Sequence, residues 1–178
     1  VKPRSLFKKK KLFKKKDFYI FGILNITPDS FSDGGDNLAL NKAIKTAESM
    51  SRNGSDFIDI GGESTRPDAD KVKVRDEIMR VLPIIQYLKK NRIKISLDTR
   101  NSSTMKLGLL SGVSIINDVS ALTNDSDSVG VIQEFKPPII LMHMPGNPKN
   151  MMNNTNYKNV VLDIFDYLNE RIQFCESR

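Results

Sequence analysis

The chain has 178 residues, of which 39% are hydrophobic and 28% are charged, and this length and balance are typical of one globular domain. No apolar run approaches the roughly 18 residues of a membrane span, and no secretory signal is recognisable, so we expect no membrane partner. The only cysteine is Cys175. A single thiol excludes an intramolecular disulfide and a cysteine-based metal cluster, and it indicates a cytoplasmic location.

The formal net charge of +7 is concentrated at the amino terminus. Residues 1–16 hold nine of the 28 Lys and Arg residues and no acid, so the rest of the chain carries 19 basic and 21 acidic residues. We interpret residues 1–17 as a basic linker or tail and residues 18–178 as the domain. The alternative is a phosphate- or membrane-binding arm. A nucleic-acid partner is not expected, because the domain is nearly neutral and no base-stacking pattern accompanies the lysines.

Five apolar runs alternate with segments of helical period along the chain. The predicted strands are Phe18–Asn25, Phe57–Gly62, Lys94–Thr99, Ser114–Val119 and Pro138–Met144. The predicted helices are Leu38–Arg52, Lys73–Lys90, Ser102–Leu110, Asp127–Phe135 and Tyr157–Glu176, with Pro83 and Gly130 inside two of them. Strict alternation with nearly continuous apolar strands indicates a parallel sheet that is buried on both faces.

A doubly wound sheet and a (β/α)8 barrel are both compatible with this α/β alternation. The chain contains neither GxGxxG nor GxxxxGK[ST], which disfavours the nucleotide-binding forms of the doubly wound sheet. Polar residues at strand ends favour the barrel, because barrel enzymes place their reactive groups there. These residues are Asn25, Glu63, Asp98, Asn117 and His143. We therefore predict a TIM-barrel type fold, represented by about five βα units and thus incomplete.

The loop after the first strand, "NITPDSFSDGG", can be interpreted in two ways. It can be an ordinary loop in which Asn25 caps a turn, or it can be the rim of a ligand site. Polar residues at the ends of five successive strands favour the ligand site.

Five segments of the chain, "GILNITPDSFSDGG", "IDIGGESTRP", "ISLDT", "IINDVSAL" and "LMHMPGNPKNM", resemble in order and spacing the blocks of the dihydropteroate synthase family. The resemblance runs from about Tyr19 to Arg178. It implies a (β/α)8 barrel transferase that condenses 6-hydroxymethyl-7,8-dihydropterin pyrophosphate with p-aminobenzoate. The products are 7,8-dihydropteroate, for folate biosynthesis, and pyrophosphate.

The resemblance also implies a role for three residues in pterin binding. Asp98 and Asn117 match the family's readers of the pterin edge, and Met142 matches a residue that lines the pterin slot. A carboxylate with an amide partner can pair with the alternating donors and acceptors of a pterin. Without the resemblance, Asp98 could equally be a helix cap or a salt-bridge partner, and Met142 could be a core residue. For His143 we favour a buried, hydrogen-bonded imidazole over a general base.

Pyrophosphate and p-aminobenzoate are implied to bind at the strand-end loops. Asn25 matches the family's contact to Mg²⁺ and pyrophosphate, and Arg66 matches an arginine that can grip phosphate oxygens with paired donors. Thr65 and Pro67 match the loop beside p-aminobenzoate, and Phe31 matches an aromatic residue that closes over the same ring. The family is the target of sulfonamides, which occupy the p-aminobenzoate position. The implied mechanism is dissociative and uses no protein nucleophile.

The family's later motifs, which include a "DPGFGFGK" strand, do not occur in this sequence. The resemblance assigns to those strands an aspartate, a lysine and an arginine of the site, so we expect residues 1–178 alone to be inactive. Three interpretations stay open: a piece of an active synthase, a non-catalytic remnant or interaction protein, and a related pterin-binding methyltransferase barrel. The piece could follow an upstream pterin pyrophosphokinase domain, or the enzyme could be split so that a second chain supplies the rest. The complete enzyme is expected to be a homodimer.

Overall fold

The computed structural model describes residues 12–13, 16–26, 36–67 and 69–178 of the chain. Parallel strands and helices alternate throughout this part. The strands are β1 (Phe21–Asn25), β2 (Phe57–Gly61), β3 (Ile95–Asp98), β4 (Ile115–Asp118) and β5 (Ile139–Leu141). The helices are α1 (Asp36–Arg52), α2 (Val74–Lys90), α3 (Ser102–Ser111), α4 (Ser128–Phe135) and α5 (Val160–Glu176), and a short 3-10 helix spans Met151–Asn153.

All ten predicted elements are present, and the differences lie at their ends. Helix α5 begins at Val160, later than predicted, because the side chain of Asn159 accepts hydrogen bonds from the backbone N–H groups of Val161 and Leu162 and so caps the helix there. Pro83 does not end α2, which continues to Lys90 with Pro83 on its exposed face. Pro83 lacks a backbone N–H, but α2 tolerates this loss because burial of the opposite face stabilises the helix.

The five strands form one sheet in the order β1-β2-β3-β4-β5, and every neighbouring pair is parallel. Consecutive order means that the sheet winds in one direction, whereas a doubly wound sheet reverses its strand order at a switch point. The prediction of five βα units of the TIM-barrel type is therefore confirmed. Strands β1 and β5 are the two edges of the sheet that the structure describes.

The two faces of the sheet differ in character. One face packs on the helices and contributes Leu24, Ile60, Leu97 and Ile116 to the hydrophobic core. The opposite face, which we call the inner face, carries a mixture of polar and apolar side chains and is only partly covered, so that Ile23 is 64% exposed. In a closed barrel this face lines the interior.

The segment before β1 lies against the amino-terminal end of the sheet. The ring of Phe13 is 5.2 Å from that of Tyr19 and 5.8 Å from that of Phe57, and Lys16 forms an ion pair with Asp56. The described part of the basic tail thus contacts the domain. Within the described residues, none of the helices is both long and apolar enough to span a membrane.

Candidate functional site

The predicted site residues at the strand ends lie at one level of the sheet. In the register of the strands Asn25 pairs with Gly61, Gly61 pairs with Asp98, and Asp98 pairs with Asn117. Residues paired in a parallel register share a face, so these positions form a row across the inner face of four strands. The structure thus brings together three residues that are far apart in the chain, as the sequence predicted.

Gly61 leaves a gap in the middle of this row. A Cβ atom built on Gly61 would lie 3.1 Å from Asn25 Oδ1 and 3.6 Å from Asp98 Oδ2. The side chains of Asn25 and Asp98 therefore approach each other over a position that has no side chain of its own. A flat ligand can come close to the backbone there.

Asp59 lies next to the row on the inner face, on the side of the amino-terminal ends of the strands. It was not among the predicted site residues. It lies two residues before Gly61 on the inner face and is 8% exposed. Asn117 Nδ2 donates a hydrogen bond of 3.0 Å to Asp59 Oδ2, which orients the Asn117 amide. The sequence signal was present, because Asp59 is the one charged residue in the apolar run "FIDIGG".

Asp98 is held in an environment that disfavours its charge. Burial, and then the nearby carboxylates of Asp59, Asp118, Glu77 and Glu63, raise the pKa of Asp98 to about 7. Its Oδ1 atom is buried without a hydrogen-bond partner in the described part of the chain, and so is Oδ1 of Asp59. Buried polar atoms are normally hydrogen-bonded, so these two oxygens point to a ligand that donates hydrogen bonds.

A cleft of about 600 Å³ lies beside the row, under the loop that follows β2. It is lined by Asn25, Thr65 and Arg66 together with further basic and acidic residues, which are Lys71, Lys73, Arg80, Asp70 and Asp76. Four cationic side chains against two carboxylates make the cleft suited to an anion. Asn25 belongs both to the row and to the cleft, so the two regions are continuous.

Three predicted site residues, Pro67, Met142 and Phe31, belong neither to the row nor to the residues named above as lining the cleft. Pro67 is exposed, directly after Arg66 in the loop. Met142 directly follows β5 and is 40% exposed, which is compatible with lining a slot rather than with the core. Phe31 lies outside the described residues.

His143 packs against aromatic rings rather than facing the row. Its ring centroid is 4.9 Å from that of Tyr167, in an edge-on arrangement, and 5.8 Å from that of Tyr157. His143 is half-buried and contacts a ring of α5, so the predicted burial of its imidazole is met only in part.

The fold and the site define a barrel-type α/β domain with a cluster of polar side chains at the carboxyl ends of its parallel strands. A model of the family described as "Pterin binding enzyme" matches residues 21–178. The chain belongs to this family.

Individual relatives agree with the family match. Dihydropteroate synthase of Synechocystis sp. is 41% identical over 158 residues, which are 88% of this chain and 55% of that protein. The structure of Yersinia pestis dihydropteroate synthase in complex with a sulfonamide drug has a TM-score of 0.82 and 36% identity, and the match covers 89% of this chain and 58% of that one. Xanthomonas albilineans dihydropteroate synthase with 4-aminobenzoic acid has a TM-score of 0.80 and 37% identity, with 89% and 56% covered. The chain thus spans just over half the length of the proteins it matches.

Proposed function

We propose that this chain supplies the pterin site and the pyrophosphate site of a dihydropteroate synthase, which condenses dihydropterin pyrophosphate with p-aminobenzoate in folate biosynthesis. The observation that carries this proposal is the row of Asn25, Asp98 and Asn117, which borders directly on a cationic cleft. A flat heterocycle with an anionic substituent needs such a combination of a hydrogen-bonding row and a positive mouth.

The row can read the edge of a pterin. The Asp98 carboxylate borders the gap at Gly61, with Oδ2 3.6 Å from the position that a Cβ atom would take there, so it can accept a hydrogen bond from a ring N–H or amino group. Asn117 already donates to Asp59, which leaves its Oδ1 atom as an acceptor towards a ligand. Met142 would lie against the flat face of the ring. These contacts would fix the orientation of the pterin and point its substituent towards the cleft.

The cleft would hold the pyrophosphate group. Arg66 lines it with a guanidinium, whose paired N–H donors match the spacing of phosphate oxygens. Lys71 and Lys73 line the same cleft and add positive charge. These cations would mainly stabilise the negative charge that develops on the departing pyrophosphate.

Asn25 is the residue we propose as the protein ligand of Mg²⁺. In the described part of the chain, no group of three or more His, Cys, Asp and Glu side chains is placed to hold a metal ion. A single amide oxygen at the cleft fits a Mg²⁺ ion that takes most of its ligands from phosphate oxygens and water, which is how this ion commonly binds. When bound, Mg²⁺ would neutralise negative charge on the departing pyrophosphate.

The loop after β2 would position p-aminobenzoate. Thr65 lines the cleft and Pro67 is exposed beside it, and Phe31 is proposed to complete the same subsite from the loop after β1. Sulfonamides would compete for this subsite, in line with the sulfonamide complex of the Yersinia pestis relative.

The residues of the site support a dissociative reaction. The bond between the pterin methylene carbon and the pyrophosphate oxygen breaks, and the methylene carbon becomes a resonance-stabilised cation. The aniline nitrogen of p-aminobenzoate then attacks this carbon and loses a proton to water. The side chains of the row and the cleft would bind, orient and neutralise charge without forming a covalent intermediate. The finer proposals are a cytoplasmic homodimer and an upstream pterin pyrophosphokinase domain linked through the basic residues 1–17.

The test is to join the chain to the part of the Synechocystis enzyme that lies beyond the matched region and to follow dihydropteroate formation with both substrates and Mg²⁺. We expect turnover that falls by about 5- to 150-fold in Asp98→Asn and is kept in Asp166→Asn, which changes an exposed carboxylate of α5. A folded hybrid that binds neither dihydropterin pyrophosphate nor p-aminobenzoate would contradict the proposal and favour a non-catalytic member of the family.

A further inference from the structure

The loop after β2 is attached to the strand ends by a buried ion pair that the proposed reaction does not use directly. We propose that Glu63 and Arg100 are positioning residues, which hold the loop that carries Thr65 and Arg66 in the geometry needed to bind a pyrophosphate group. This inference rests on the proposed function.

Glu63 and Arg100 form a bidentate ion pair, which we call the fork. Arg100 Nε donates to Glu63 Oε2 at 2.8 Å, and Arg100 Nη2 donates to Glu63 Oε1 at 3.1 Å. Glu63 is 6% exposed and Arg100 is 7% exposed. The hydrogen bond that Arg100 donates to Glu63 raises the pKa of Arg100. Two parallel hydrogen bonds fix the direction of the carboxylate as well as its distance.

The same carboxylate closes the loop. Glu63 Oε1 also accepts a hydrogen bond of 3.1 Å from the backbone N–H of Val72, nine residues further along the chain. One side chain therefore joins the backbone at residues 63 and 72, on either side of the cleft residues Thr65, Arg66 and Lys71. The spacing of these cleft residues depends on where Glu63 places Val72.

The backbone on both sides of the ion pair is held as well. Arg80 Nη1 donates to the carbonyl oxygen of Gly62 at 2.9 Å, and Asn124 Nδ2 donates to that of Arg100 at 3.1 Å. Arg100 follows Asp98 by two residues, so the fork connects the pterin row on β3 to the phosphate loop after β2. The pair thereby sets the distance between the two halves of the proposed substrate.

A purely stabilising role explains this arrangement poorly. Removing two charges from water is so unfavourable that well-packed apolar residues often stabilise a protein as much as a buried ion pair does. What apolar residues cannot supply is a third, directional hydrogen bond to the N–H of Val72. Fixing the loop is therefore the contribution specific to Glu63.

The experiment compares the chain with Glu63→Gln and Arg100→Lys, and uses Glu134→Gln as the matched control because Glu134 forms an exposed ion pair with Lys106. Hydrogen exchange of the Val72 amide reports on the loop, and calorimetry with inorganic pyrophosphate and Mg²⁺, and separately with the bare dihydropterin, reports on the two halves of the site. We expect Glu63→Gln to speed exchange at Val72 and to weaken pyrophosphate binding, each by about tenfold. Dihydropterin binding and the control variant should change by less than about twofold.

Arg100→Lys keeps the charge and loses the fork, so it should have a smaller effect of the same kind. This variant also serves as the test if Glu63→Gln does not fold. Unchanged exchange at Val72, or faster exchange with unchanged pyrophosphate affinity, would overturn the positioning role. Equal losses for pyrophosphate and dihydropterin would also overturn it, because they would indicate a general loss of structure. If the unaltered chain binds dihydropterin but no pyrophosphate, the positioning role is refuted while the pterin site stands. If it binds neither ligand, the proposed function fails as well.

Discussion

Asn25 and Asp98 approach each other over Gly61, and a Cβ atom at Gly61 would lie 3.1 Å from Asn25 Oδ1 and 3.6 Å from Asp98 Oδ2. The three residues belong to three neighbouring strands and share one level of the sheet. Asn25, the proposed pyrophosphate contact, and Asp98, the proposed reader of the pterin, are therefore separated only by the backbone of β2 at Gly61. If the site works as proposed, the scissile bond of the substrate would lie above Gly61.

Gly61→Ala should weaken ligand binding while the fold is retained. The added methyl group would occupy the gap and push the Asn25 side chain away by a few tenths of an ångström. We expect the affinity for dihydropterin pyrophosphate to fall by about tenfold or more, and the stability to rise by up to about 1 kcal/mol because the unfolded chain loses freedom. Calorimetry and urea unfolding measure the two effects. Unchanged affinity would show that the ligand does not approach Gly61.

Asp98→Asn should weaken pterin binding by about 1–3 kcal/mol, because an amide offers one acceptor where the carboxylate offers two. With a pKa of about 7, Asp98 is partly protonated at neutral pH, and two donors on the pterin would favour its ionised form. Binding near pH 6.5 should thus release a fraction of a proton. Calorimetry in buffers of different ionisation enthalpy detects this release, and its persistence in Asp98→Asn would assign the proton to another group.

The stability of the chain should depend on pH through Asp98. The pKa of its carboxyl is raised in the folded state, from 3.8 to about 7, so the folded state binds the proton more tightly than the unfolded state. The tighter proton binding contributes fully to the free energy of unfolding below about pH 4, and its contribution is lost as the pH rises to about 7. Over that range it lowers the free energy of unfolding by about 2–4 kcal/mol.

The matched comparison for this pH dependence is Asp98→Asn against Asp166→Asn. Asp98→Asn should make the stability flatter between pH 4 and 7 and should stabilise the chain at pH 8, since no charge is then buried at this position. Asp166 is exposed, and its variant should follow the unaltered chain. Parallel pH profiles for all three proteins would show that the pKa of Asp98 is not raised.

Arg66→Ala should weaken binding of dihydropterin pyrophosphate more than binding of the bare dihydropterin. Arg66 lines the cleft together with Lys71 and Lys73, and it is not part of the row that includes Asp98. We expect a loss of about 1–3 kcal/mol for the pyrophosphate form, with little change for the bare ring. Similar losses for both ligands would assign Arg66 to loop support.

Residues 1–178 expressed alone should show no measurable synthase activity. The inner face is partly open to water, with Ile23 64% exposed and Met142 40% exposed, so the electrostatic contacts act in a high dielectric. A loss of about 2–4 kcal/mol in the stabilisation of the transition state reduces the rate by about 30-fold to 900-fold, because about 1.4 kcal/mol corresponds to a factor of ten. Circular dichroism confirms folding, and dihydropteroate formation is then followed with Mg²⁺. Clear turnover by the folded chain would show that the open face does not prevent catalysis.

The order of elements and the row of candidate site residues at the strand ends were predictable from the sequence. Each apolar run had a length and composition typical of a buried strand, and Asn25, Asp98 and Asn117 were the polar residues at the ends of three such runs. Because the carboxyl ends of parallel strands meet at one edge, a position in the chain was enough to predict a position in space. Helix boundaries were less accurate, since α5 begins where the Asn159 side chain caps it.

The contacts that tune the site were decided by the tertiary structure. Asp59 meets Asn117 across 58 residues, and Glu63 meets Arg100 across 37, so neither pairing leaves a local pattern in the chain. The raised pKa of Asp98 likewise results from burial and from carboxylates on other strands and helices. Local propensity and hydrophobic periodicity determine which residues reach the strand ends, whereas charge interactions depend on distance and burial, which exist only once the chain has folded.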